Sequence, residues 1–107
     1  MPKTKDKLIS DLQVISASLT SEMTSARLAS SAYSIMDLLI LMNTIDPCST
    51  RKEIIDLSVI IDKDVYHTLE IARDIYIDYI ATVTEAELIE AKNKTIIKIR
   101  GVIQSFL

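Results

Sequence analysis

Apolar residues in this chain recur at steps of three and four, the spacing of one face of an α-helix. Leu8, Leu12, Ile15, Leu19, Met23 (or Glu22 in its place), Ala26 and Ala29 form the first such stripe. Ile61, Val65, Leu69, Ala72, Tyr76, Tyr79 and Val83 form a second, opposite a polar stripe of Lys63, His67, Glu70, Asp74 and Asp78. Ile89, Ile96, Ile99, Ile103 and Phe106 form a third and face inward. Ahead of this third stripe stand Glu85, Glu87 and Glu90, and along it Lys92, Lys94, Lys98 and Arg100. Acid first and base last suits the dipole of a separate helix. Glu90 and Lys94 add a favourable pair four residues apart.

The breaks between these stripes have chemical causes. Pro47 disfavours helix at Asp46 and ends the first region. Thr50 and Glu53 then have capping-box spacing, as do Thr84 and Glu87. The β-branched run Thr82-Val83-Thr84 weakens helix just before the second box. The expected fold is therefore all-α: a single domain forming a small antiparallel helical hairpin or bundle of three to four helices, with a turn at Pro47. The helical regions run over about 4–45, 51–82 and 85–105.

Two segments modify this outline. Between Ser16 and Ser34 the chain is dominated by Ser, Thr and Ala. Small side chains admit a close helix neighbour, while Ser and Thr lower helix strength. The stretch either packs tightly on a partner or breaks near Thr20 to Ser25. From Ile35 to Met42 apolar residues go nearly all round the helix, and Ile54 to Ile61 repeat the crowding across the turn. A helix apolar on every side is expected to be buried on every side. One hairpin leaves some of that surface open, which calls for further helices or another chain. The candidate interface residues are Ala26, Ala29, Tyr33, Leu38, Met42, Tyr76 and Tyr79.

Composition supports helices over sheet. The chain has one Gly and two Pro, too few for the tight turns that many strands need. Segments 75–80 and 95–103 are rich in β-branched and aromatic residues and are the places where strand competes. The hydrophobic share of 49% is ample for a folded core. The net charge of −3 lacks the basic excess of a dedicated nucleic-acid binder. The lone Cys48 excludes an internal disulfide and fits a reducing compartment. The basic N-terminal stretch Lys3, Lys5, Lys7 is not followed by a signal-peptide core. The longest apolar run, Leu38 to Met42, is far short of the roughly 18 residues that span a bilayer. A cytoplasmic protein without membrane contact is the expectation.

No reactive constellation emerges. His67, Glu70 and Asp74 share a helix face, but it is the polar one and there is a single histidine, so no metal site is inferred. Cys48 lacks a catalytic partner, Ser49 lacks a nucleophile-elbow context, and one glycine cannot build a phosphate loop. No enzyme activity, cofactor or small-molecule substrate is inferred. The expected function is non-catalytic: a protein–protein interaction or structural assembly subunit, acting as an oligomer or within a larger complex. The alternative is a small helical subunit of a nucleoprotein complex, with Lys92, Lys94, Lys98 and Arg100 as candidate nucleic-acid contacts through the C-terminal basic face.

Overall fold

Threonine hydroxyls start three helices. Thr4 Oγ1 accepts from Lys7 N–H at 3.2 Å, Thr24 Oγ1 from Arg27 N–H at 3.1 Å and Thr84 Oγ1 from Glu87 N–H at 3.1 Å. Each satisfies an amide that the first helical turn leaves without a partner. The computed structural model describes residues 4–45, 51–70 and 84–106. The Pro47 turn, Thr50 of the first capping box, Cys48, and 71–83 with Ala72, Tyr76 and Tyr79 lie outside the described residues. Within them the order is α1 (Lys5–Ser18), α2 (Ser25–Ile45), α3 (Arg51–Ile60) continued directly by a π-helical segment (Ile61–Glu70), and α4 (Glu85–Phe106). The described residues are an all-α bundle without strands, and 95–103 lies inside α4.

The stretch 4–45 is two helices, not one. Ser18 Oγ donates to the Ile15 carbonyl at 2.7 Å, and Thr20 Oγ1 accepts from Glu22 N–H at 3.3 Å. These local bonds compete with the helical ladder. Leu19 turns extended at φ −69°, ψ 126°, and Thr24 caps the next helix.

The break resets the helical phase. The buried stripe of α2 is Ser25, Leu28, Ala29, Ala32, Ile35, Leu38, Leu39 and Met42. Ala26, placed inward by carrying the α1 stripe across the break, is exposed instead. Ile89 is likewise 38% exposed, with Leu88 half-buried against the core in its stead.

The π-helical segment keeps one apolar face aligned. Leu57, Ile61, Val65 and Leu69 follow at steps of four and all are buried. A step of four overshoots the turn of an α-helix, about 3.6 residues, and undershoots the wider π turn. The drift begun over 57–61 is therefore reversed over 61–69. Thr68 Oγ1 donates to the Lys63 carbonyl five residues back, at 3.3 Å.

α2 and α4 each pack against both α1 and α3. Leu8, Leu12, Leu28, Ile35, Leu39, Met42, Leu57, Val65, Leu69, Ile99 and Ile103 fill the space between. The radius of gyration is 14.8 Å, against about 13 Å for a compact chain of this length. The long shape leaves every helix with a solvent flank. The four helices do not cover all of the apolar surface that the hairpin leaves open: Ile40 and Leu41 are 48% and 47% exposed, and Ile55 is 56% exposed. α2 is also long and apolar enough to cross a bilayer, with a mean hydropathy of 1.4 over 18 residues, which the short run 38–42 did not reveal. Its buried stripe is used against the other helices.

Gly101 sits within α4, and a Cβ placed there meets nothing within 4 Å. Gly101→Ala is expected to stabilise the monomer by about 1 kcal/mol, the helix-propensity difference, as a rise in the urea midpoint at unchanged slope.

Candidate functional site

The basic residues of α4 are engaged inside the chain. Lys92 is buried, and its Nζ donates to the Met23 carbonyl at 2.9 Å, tying α4 to the turn before α2. Arg100 lies over the end of α1. Its Nε and Nη2 donate to the Ser16 carbonyl at 3.3 and 3.2 Å, and Nη2 also to the Leu19 carbonyl at 2.8 Å. A guanidinium there satisfies terminal carbonyls and complements the negative end of the α1 dipole. Lys98 Nζ reaches Asp64 Oδ1 at 2.9 Å, and Lys94 Nζ reaches Glu90 Oε1 at 3.4 Å. The four candidate nucleic-acid contacts thus do not form a common free face: one is buried, one caps a helix and two are paired. Arg100→Gln is expected to cost about 1 kcal/mol, the low end for charged hydrogen bonds because the side chain is exposed. Urea unfolding measures it, and Lys94→Gln, with one exposed pair, is the near-neutral comparison.

The described part of the second region's polar face carries Lys63 and His67, both exposed. His67 Nε2 lies 3.8 Å from Asp62 Oδ1, both well exposed; Asp74 lies outside the described residues. Among the described residues no group of three or more His, Cys, Asp and Glu is placed to hold a metal. On α3, the hydrogen bond to Asp56 at 2.9 Å, reinforced by that carboxylate's charge, holds Lys52 above the ordinary lysine range. Glu53 is buried, and its Oε1 accepts from Ser105 Oγ at 3.1 Å, joining α3 to the end of α4.

The candidate interface residues separate into different environments. Ala29, Leu38 and Met42 belong to the chain's own core, with Met42 fully buried, so they pack intramolecularly instead of forming an open contact stripe. Ala26 is exposed. Tyr33 is 40% exposed and meets Tyr66 of the π-helical segment edge to face, with ring centroids 6.1 Å apart at 73°. Tyr76 and Tyr79 lie outside the described residues.

Other apolar residues form the open surface. Val14, Ile40, Leu41, Ile45, Ile55, Val59 and Tyr66 are each between 46% and 66% exposed. Between α1 and α2 lies an open groove of about 420 Å³ lined by Asp11, Val14, Ile15, Ser34, Asp37, Leu38 and Leu41. Ile15 and Leu38 form its floor beside the core, whereas Val14 and Leu41 lie off the buried stripes of their helices. Ile55 and Val59, one turn apart and out of phase with Leu57 and Ile61, are the signal that a second, outward apolar face exists. Compared with known protein families, with curated proteins and with solved structures, the chain matches none.

Proposed function

We propose that this protein is a non-catalytic interaction subunit that works as an oligomer or as part of a larger assembly. The observation that carries the reading is the apolar surface on both sides of the α2–α3 packing, above all Ile40, Leu41 and Ile45 on α2 and Ile55 and Val59 on α3. Clustered exposure of large aliphatic side chains marks association surfaces. The nucleoprotein alternative has less support, because Lys92 is buried and Arg100, Lys98 and Lys94 hold internal partners.

Size-exclusion chromatography with light scattering tests the proposal. A mass above that of one chain, persisting at high salt, is the expected result, since apolar contacts are not screened. A monomer at every concentration overturns self-association and leaves only a foreign partner. A gel-shift assay with duplex and single-stranded probes at low salt separates the alternative: binding that weakens steeply with salt would establish it.

A further inference from the structure

Resting on the reading just given, the two open apolar surfaces form a complementary pair. The α1–α2 groove presents Val14 at 66% and Leu41 at 47% exposure. Asp11 and Asp37 stand in its lining, and no cation does; Lys7 bridges Asp11 at 3.1 Å from one side. The outer ridge of α3 presents Ile55 at 56% and Val59 at 46% exposure, with exposed Arg51 and Lys63 one turn beyond at either end. Asp62 also lies near this ridge, beside His67 at 3.8 Å. An apolar pair four residues apart, flanked by cations, is what a helix offers to an apolar groove flanked by carboxylates. The ridge on α3 and the groove between α1 and α2 are held on different faces of one packed bundle by the contacts of α2 with both α1 and α3, so the partner of each is sought on another copy.

We propose that copies of this chain associate head to tail, the Ile55–Val59 ridge of one copy lying in the α1–α2 groove of the next. The two surfaces differ, so the contact is heterologous. Repetition of such a contact gives a ring if the rotation closes and a filament if it does not.

The test uses two blocked variants at exposed positions, each checked for wild-type helicity by circular dichroism. The groove variant carries Asp37→Lys and Leu41→Lys; the ridge variant carries Ile55→Gln and Val59→Gln, which removes the apolar contact without adding a charge that could pair with the lysines of the blocked groove. In sedimentation velocity the wild type is expected to sediment as concentration-dependent oligomers and each variant alone as a monomer. An equimolar mixture is expected to form a dimer that grows no further, because it contains one intact groove and one intact ridge. A wild type that associates while the mixture stays monomeric, or while either variant still polymerises alone, overturns the head-to-tail contact and leaves the assembly reading standing. A monomeric wild type removes self-association itself. If a variant loses helicity, a Cys48→Ser chain carrying Leu41→Cys and Val59→Cys replaces it. Oxidation is then expected to give a ladder of disulfide-linked multimers that either single cysteine alone does not give; absence of the ladder overturns the contact.

Discussion

Leu39→Ala is expected to lower the unfolding free energy by about 2–5 kcal/mol, the range for emptying a fully buried leucine site. Leu39 has no exposed surface and sits in the buried stripe of α2. α2 packs against α1, α3, the π-helical segment and α4, so a cavity there removes partners from several elements together. Domains of this size hold about 5–15 kcal/mol in all, so the loss is a large share. The comparison is Leu41→Ala, two residues on and 47% exposed, whose cost is expected to stay below about 1 kcal/mol because little transfer free energy is lost and no cavity forms. Urea unfolding monitored by circular dichroism measures both. Equal losses would show that the phase of α2 is wrong.

Lys92→Glu is expected to cost about 3–5 kcal/mol, the range for an uncompensated buried charge. Lysine donates from Nζ to the Met23 carbonyl at 2.9 Å. A carboxylate there would face a carbonyl oxygen with no proton to offer and with little water to solvate it. Lys94→Glu provides the contrast, since Lys94 is 71% exposed in a pair with Glu90, and its effect is expected within about 1 kcal/mol. The Lys92→Glu loss also has a pH signature. Burial raises the folded-state pKa of the new carboxyl above its unfolded value. The penalty is full above the raised pKa and is relieved as pH falls toward the unfolded value of about 4.3. A penalty that stays constant on acidification would argue against burial of the site.

Both substitutions bear on residues that the pattern of the chain treats differently. Leu39 belongs to an apolar crowd, Ile35 to Met42, in which linear order alone does not separate inward from outward positions. Only the Thr24 cap and the packing of α2 separate Leu39 from Leu41. Lys92 reads as one cation among four, yet it alone is buried, because α4 passes the turn before α2 where the Met23 carbonyl is available. The Thr84 cap, by contrast, was legible from its spacing to Glu87, as the bond of 3.1 Å shows. Thr4 and Thr24 carry the same kind of cap without glutamate three residues on, and so gave no comparable signal.

What the sequence determined by itself is the class of fold and most of the inward face. Few turn formers and apolar steps of three and four admit helices and little else, and Leu8, Leu12, Ile61, Val65, Leu69, Ile96, Ile99 and Ile103 are buried as their period requires. The tertiary structure alone decided the phase of each helix after a break, the π-helical continuation of α3, and which polar groups meet: Arg100 with the end of α1, Lys92 with Met23, Glu53 with Ser105. The physical reason is range. Periodicity and capping act within a few residues, whereas a helix's rotation about its axis and the partners of its long side chains are set by neighbours 52 to 84 residues away, which no local pattern records.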